Sequence, residues 1–359
     1  STRWCGYAPA SRAPRPSNRA RRTTCLPPVP LFDTDGKVTI RRAFITGANG
    51  FVGRALSRHL RALGWEIRGV DLAADPTHDV RAGDINVEGP WIADAAAADA
   101  IFHTAAIVSN TAAADAAWRI NVLGTKKVID ATSPGAVFVH LSSVRAFSDI
   151  DFPDMVTEDH PVRTDGNTYV DTKIASEQVV LQAHAAHRID ARIVRPGDIY
   201  GPGSRPWTLL PLEMIRGNQF VLPAMGKGIF SPIYIDDVID GITSVATCDA
   251  ASGQIFTISG GAGVACAQFF GHYYRMLGKR GPLVLPTTAA IGLARAKTAI
   301  LALSGRTTEA NAASVRYLTR TGTYSIAKAQ SVLGFRPQFT LESGMQATQT
   351  WLQSQGLLG

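Results

Sequence analysis

The chain has 359 residues, 45% of them hydrophobic and 18% charged, which is enough apolar side chain for a substantial core and excludes a wholly disordered polypeptide. Lys and Arg outnumber Asp and Glu by 36 to 29, a formal net charge of +7, and a basic balance of that kind raises nucleic acid as a partner. The charge is unevenly placed, however. Seven of the basic and two of the acidic residues lie in residues 1–38, leaving 29 against 27 over the rest, so the body of the chain is almost neutral and no nucleic-acid partner is expected.

Residues 1–38 form a separate basic, Pro- and Arg-rich extension with six prolines and little apolar periodicity. It reads as a disordered or non-core arm, as an organelle-targeting segment, or as translation from an upstream start, with Val38 as an alternative native beginning. The four cysteines (Cys5, Cys25, Cys248 and Cys266) show neither a CxxC pair nor zinc spacing, so reduced thiols in a cytoplasmic protein are expected. No apolar run reaches roughly 18 residues, so no membrane-spanning helix is expected.

From residue 41 the pattern changes. Ala43-Phe44-Ile45 is a short apolar run ending in Thr46-Gly47-Ala48-Asn49-Gly50-Phe51-Val52-Gly53, and Phe51–Gly64 has helical spacing. Glu66–Asp71, Ala100–Thr104, Ala136–Leu141 and Ala191–Arg195 read as further strands; 112–132 and 167–187 read as helices. Strands alternating with helices of 10–20 residues predict βαβ units and a parallel sheet covered on both faces. Beyond residue 200 prolines punctuate shorter segments. Strands are expected at 233–235 and 254–258, and helices at 236–248, 267–278 and 287–303.

Two constellations carry chemistry. The glycines between the first strand and helix permit a tight turn and close backbone approach to a pyrophosphate at a helix N-terminus. Asp71, at the end of the second strand, can accept both hydroxyls of an adenosine ribose and would repel a 2′-phosphate, which favours NAD over NADP. Arg54, at the start of the helix, is expected to face solvent. In the second constellation, Tyr169-x-x-x-Lys173 places a phenol and an ammonium on one helix face. A tyrosine ionises near pH 10 when unperturbed, and a neighbouring cation brings it toward the working range of a general base. Ser143, after the apolar strand ending at Leu141, would hydrogen-bond the substrate oxygen, and a turn-capping role is its alternative. His184 and His187, one turn apart, read as a solvated face, and no metal is assigned.

These motifs occur in the order seen in the extended short-chain dehydrogenase/reductase family, which includes NAD-dependent epimerases and dehydratases. From about 41 to 355 the chain resembles that family. The resemblance rests on the glycine loop, Gly83-Asp84-Ile85, His103-Thr104-Ala105-Ala106, Asn121-Val-Leu-Gly-Thr125, Ser142-Ser143, Tyr169/Lys173, Arg195-Pro-Gly-Asp-Ile-Tyr-Gly-Pro202 and Tyr234-Ile-Asp-Asp-Val238. It implies an α/β fold: a Rossmann-like doubly wound parallel sheet over 39–200 and a smaller, mainly C-terminal substrate lobe over 201–359, parts of which return to the sheet. It implies Ser143, Tyr169 and Lys173 as catalytic residues. It implies cofactor contacts from Gly47, Asn49, Gly50, Phe51, Val52, Gly53, Asp71, Asp84, Ile85, His103, Thr104, Ala105, Ala106, Asn121, Tyr169, Lys173, Pro196 and Ile199. His103 within this set reads as a packing residue rather than a catalytic one.

Departures from the family narrow the substrate. Sugar-nucleotide enzymes often carry an Arg just ahead of the Tyr234 motif, whereas Gly228–Tyr234 has none here, leaving Arg205 and Arg216 as substitutes for holding a diphosphate. Phe147 stands where sugar epimerases often have Tyr. The 287–303 segment and the C-terminal Leu333-Gly-Phe335 resemble the 3β-hydroxysteroid dehydrogenase branch. The expected activity is therefore hydride transfer between nicotinamide and an apolar secondary alcohol or ketone. A sugar-nucleotide epimerase or dehydratase is the alternative, and a non-catalytic NAD-binding sensor is a further one. Helix 287–303 reads as core-facing, with a substrate lid or membrane-surface contact as alternatives, and a homodimer is a family-level expectation.

Overall fold

The short apolar runs become strands because their side chains are wanted on both faces at once: Ala43, Phe44, Ile45, Ile101, Phe102, Phe138 and Val139 are all essentially inaccessible to solvent. The computed structural model describes residues 41–148, 153–305 and 307–358, so the 1–38 extension and the reading of Val38 as a start lie outside it. The first strands are β1 (Arg42–Thr46), β2 (Glu66–Asp71), β3 (Val80–Ala82), β4 (Ala100–His103), β5 (Val137–Leu141) and β6 (Asp190–Pro196). Interleaved with them are α1 (Phe51–Ala62), α2 (Trp91–Ala96), α3 (Ala114–Trp118), α4 (Thr125–Ala131) and α5 (Thr168–Ala185). There follow β7 (Asp198–Tyr200), α6 (Leu210–Arg216), β8 (Val221–Leu222), β9 (Ile229–Phe230), β10 (Pro232–Tyr234), α7 (Ile235–Thr247) and β11 (Ile255–Ile258). Then come β12 (Val264–Ala265), α8 (Cys266–Met276), β13 (Leu283–Val284), α9 (Thr287–Ala302), α10 (Ala312–Tyr317) and α11 (Leu341–Ser354).

Seven strands make one parallel sheet in the order β11-β6-β5-β4-β1-β2-β3. The order reverses between β1 and β4, and ligands of open α/β sheets bind at the carboxyl ends beside such a reversal. Register sets that edge: Val70, Thr46, His103 and His140 lie side by side across β2, β1, β4 and β5. The residues that follow them, Asp71, Gly47, Thr104 and Leu141, therefore emerge together.

Late elements return to the sheet. β11 pairs with β6, and one apolar cluster runs from Ala43 and Leu56 through Val238 and Phe256 to Phe269 and Leu352, so packing does not break at residue 200. The remaining strands form three two-stranded pairs: β7–β10, β9–β12 and β8–β13.

Several expectations need correction. The helix expected over 112–132 starts at Ala114 and contains a π-helical stretch, Arg119–Gly124, between α3 and α4. Helix α9 is not core-facing: among its described side chains only Ala290 and Ala294 are buried, while Leu293, Ile300 and the following Leu303 are 53%, 67% and 91% exposed. The alanines supply a narrow contact stripe and leave the larger apolar groups outside. Of the two histidines expected on a solvated face, His187 is exposed but His184 is partly buried. Its ring packs against Gly253, and Nδ1 lies 3.3 Å from the Ile189 carbonyl, which fastens the end of α5. Cys266 is a buried free thiol and Cys248 is buried, while Cys5 and Cys25 lie outside the described residues. Among the described residues no helix is long and apolar enough to cross a membrane, and no cluster suited to a metal ion occurs.

Candidate active site

The glycine loop connects β1 to α1 at the reversal point. Gly47 has φ +67°, and a Cβ there would sit 2.9 Å from the Ala105 backbone; one on Gly53 would sit 2.2 Å from the Gly47 carbonyl oxygen. Both positions therefore require glycine, one for the turn and one for the helix to approach it. Gly50 caps α1 without a side-chain hydrogen bond, and the first turn carries no acid, so an anion meets backbone amides and no opposing carboxylate there. Phe51 and Val52 are partly buried against the core and anchor the helix start.

Asp71 is held ready at the next strand end. Its carboxylate accepts from the Asn49 amide at 2.9 Å and the Leu72 amide at 2.7 Å, while Asn49 Nδ2 donates to the Ala73 carbonyl. Arg54, expected to face solvent, is exposed but folded back. Its Nε donates to the Asn49 carbonyl at 2.9 Å and its guanidinium lies 3.5 Å from Asp75. Asp84 accepts from the backbone and side chain of Asn86, and these bonds, the backbone one first, hold its carboxyl below the usual range. Ile85 is buried beneath Gly124. These residues leave a cradle that a Cβ would fill, together with one oriented carboxylate, and that set fits a nicotinamide dinucleotide.

His103 and Asn121 are used differently from their neighbours Thr104, Ala105 and Ala106, which are partly exposed at the strand end. The His103 ring is enclosed between Thr46 Oγ1 at 2.7 Å and Thr125 Oγ1 at 2.9 Å. Burial, reinforced by the Lys173 charge, pushes its pKa down to about 3, so the ring is neutral. Asn121, in the π-helical stretch, accepts from the Ile107 amide and donates to the Ile107 carbonyl and to Thr172 Oγ1. It therefore ties the loop after β4 to α5, and its amide is spent within the protein. Pro196 is buried at the end of β6, and Ile199 is partly buried in β7 opposite Ile233.

The phenol and ammonium come from α5, which starts sharply because Asn167 Oδ1 accepts from the amides of Tyr169 and Val170. Tyr169 and Lys173 are 7% and 4% exposed. Lys173 Nζ donates to the Leu141 carbonyl at 2.7 Å, which places the ammonium at the end of β5. Burial lowers its pKa to about 8, partly offset by Glu177 one turn on. His140, beneath it, is driven well below its ordinary range by burial first and Lys173 second. Its Nε2 lies 2.9 Å from Ser176 Oγ and its Nδ1 has no partner.

The adjacent serines are separated by their partners. Ser142 Oγ donates to Glu177, which also receives Arg195 Nε at 2.8 Å and Nη2 at 2.6 Å. Ser143 Oγ accepts the Arg145 amide at 3.1 Å and keeps its own proton to donate. Phe147 is buried between the Arg195 guanidinium and the Tyr324 ring, as core rather than site. Sequence reasoning missed Glu177, Arg145, Asn110 and Tyr317. Arg145 stands two residues after Ser143, which is the only signal the sequence carried for it. Of the two arginines proposed as diphosphate holders, Arg205 is exposed and lies 3.3 Å from Glu213, and Arg216 is exposed in the last turn of α6.

With this geometry, known proteins give a consistent comparison. The sequence profile described as the NAD dependent epimerase/dehydratase family matches residues 43–259. A 3-beta-hydroxysteroid dehydrogenase from Mycolicibacterium neoaurum is 28% identical over 340 residues, 88% of this chain and 92% of that protein. A dTDP-glucose 4,6-dehydratase from Streptomyces griseus is 27% identical over 252 residues, 63% of this chain and 76% of that protein. Among solved structures, the dTDP-glucose 4,6-dehydratase DesIV from Streptomyces venezuelae, with NAD and TYD bound, superposes with TM-score 0.69. It is 22% identical and spans 87% of this chain and 97% of its own.

Proposed function

Since the chain belongs to the NAD-dependent epimerase/dehydratase family, we propose that it transfers a hydride between NAD and a secondary alcohol or ketone on an apolar, ring-bearing molecule of hydroxysteroid type. One observation carries the substrate class. From Tyr169 an aromatic wall runs through the Arg145 guanidinium to Tyr317, then to Trp207, stacked on Tyr317 at 5.5 Å, and on to Phe230 at 4.8 Å. Phe230 and Tyr317 in this wall are themselves buried, so it is apolar packing behind Tyr169, and beside Tyr169 it offers a diphosphate little beyond one guanidinium. The hydroxysteroid dehydrogenase similarity, which extends through the C-terminal part of the chain, supports this reading.

In the proposed mechanism Gly47, Gly50, Gly53 and Asp71 hold the cofactor, with Asp84, Ile85 and residues 104–106 beside the adenosine and Ile199 near the nicotinamide. Bound NAD supplies the carbon that accepts or returns the hydride. Tyr169 takes the hydroxyl proton as the alcohol is oxidised and gives it back in reduction. Ser143 donates a hydrogen bond to the substrate oxygen, and Lys173, anchored on Leu141, supplies positive charge beside the phenol and two further donors for the nicotinamide ribose.

A second reading, a sugar-nucleotide epimerase or dehydratase with transient oxidation, draws on the S. griseus similarity and on Arg145. A screen of steroid alcohols and sugar nucleotides at fixed protein concentration, followed by NADH absorbance, separates the two. Net NADH from the steroid alcohols alone supports the first reading. Sugar-nucleotide conversion without net NADH supports the second.

Two predictions belong to the cofactor end. Because Lys173 loses its proton near pH 8, kcat/KM for oxidation should fall as pH rises through that value. Lys173→Arg should move this limb upward, since a guanidinium stays charged, and an unmoved limb counts against the assignment. Asp71→Asn should lower the preference for NAD over NADP by about 10- to 100-fold, the worth of a charged hydrogen bond. Paired kcat/KM values for the two cofactors check this.

A further inference from the structure

Arg145 lies in the short 3-10 turn Val144–Phe147 that follows Ser143. Its guanidinium carbon is 5.2 Å from the centre of the Tyr169 ring and 4.9 Å from that of Tyr317, so the cation lies against both rings. Its Nη1 donates to Asn110 Oδ1 at 3.1 Å, and the same oxygen accepts from Asn167 Nδ2 at 3.1 Å. Asn167 in turn caps α5 through the amides of Tyr169 and Val170. The Arg145 amide donates to Ser143 Oγ. One residue thus touches Ser143 through its backbone, Tyr169 through its charge and the start of α5 through Asn110.

We infer that Arg145 is a positioning residue for Tyr169: a second, permanent cation that favours the ionised phenol and fixes the plane of its ring. The inference rests on Tyr169 being the base, as proposed above, and adds a device that the Ser143/Tyr169/Lys173 set does not contain. Phenolate charge spreads into the ring, so a cation over the ring face is attracted more strongly once the proton has left. The charge on Lys173 is conditional near pH 8, whereas a guanidinium keeps its proton throughout. Arg145 would therefore maintain positive potential at Tyr169 in the range where the ammonium fades.

Among the described residues, the other charged groups nearby are already engaged. Lys173 and Glu177 share α5 with Tyr169, and Glu177 is paired with Arg195. Behind Tyr317, Arg320 faces Asp198, and the Tyr317 hydroxyl donates to Asp198. Burial holds the Tyr317 proton on. Asp165 accepts from Ser148 and the Asn167 amide, Asp171 from the Asp165 amide, and Glu309 from Ser109, Thr111 and the Asn110 amide.

The test is a near-ultraviolet titration of tyrosinate absorbance in the full chain, without substrate. The Tyr169 component is isolated by subtracting the Tyr169→Phe variant. Burial lifts Tyr234 to about 12 and holds Tyr200, Tyr273, Tyr274 and Tyr317 above their ordinary range, so these rings stay silent at moderate pH. In Arg145→Gln the midpoint should rise by about one pH unit, and in Arg145→Lys by distinctly less. The acid limb of kcat/KM for oxidation should move with it while thermal unfolding stays parental. An unchanged midpoint in Arg145→Gln overturns the inference alone. So does an equal rise in Arg145→Lys, because charge would then not be the cause. Parental turnover in Tyr169→Phe would instead remove the base assignment, and this inference with it.

Discussion

Replacing Tyr169 with Phe should lower kcat by about 10²- to 10⁴-fold, the range ascribed to a positioned general acid or base, while cofactor binding persists. The substitution removes one oxygen and keeps the ring, so the contact with Arg145 and the packing at the start of α5 are retained. The glycine loop and Asp71 arise from other strand ends and should not sense the change. Cofactor affinity by fluorescence quenching and kcat on the substrate identified by the screen are the two measurements. Loss of turnover with affinity intact is expected. Parental turnover would end the proposed mechanism and would favour a sensor that only binds NAD.

The largest stability effect is expected from Glu177→Ala, about 3–5 kcal/mol, as when one partner of a buried ion pair is removed. Glu177 is 1% exposed, and its two oxygens receive Arg195 from β6 and Ser142 from the loop after β5. Truncation leaves the Arg195 guanidinium, 2% exposed, without its carboxylate, and Arg195 Nη1 already has no partner. Urea unfolding followed by circular dichroism checks the figure. A change below about 1 kcal/mol, the scale of exposed pairs, would show that water reaches the clamp. Because Glu177 stands one turn from Lys173, activity should fall as well, through displacement of the ammonium from Leu141.

Much of the candidate site's placement could be read before the fold was known. The glycine loop, Asp71 and the Tyr169/Lys173 pair are local patterns, each set by a turn or by one helical repeat, and the strand-end positions of Asp71 and Leu141 follow from short apolar runs. The partners of Ser142 and Ser143 were not legible. Two neighbouring serines look alike in the chain, and only the position of Glu177, 35 residues later, commits Ser142 and leaves Ser143 available. Helix α9 was misjudged for a related reason: its alanines and leucines look uniformly apolar, and the partner surface decides which of them is covered.

By itself the sequence determined the parallel α/β architecture, the glycine loop between its first strand and helix, and the helix that carries the phenol and ammonium. Those features depend on backbone conformation and side-chain period within about twenty residues. Only the tertiary structure decided that His140 is a neutral core residue, that Asn121 braces α5, and that Arg145 and Tyr317 meet beside Tyr169. Those outcomes depend on burial and on contacts between residues as much as 172 positions apart, such as Arg145 and Tyr317. Desolvation and Coulomb interaction act through space, and the spacing of residues along the chain does not encode them.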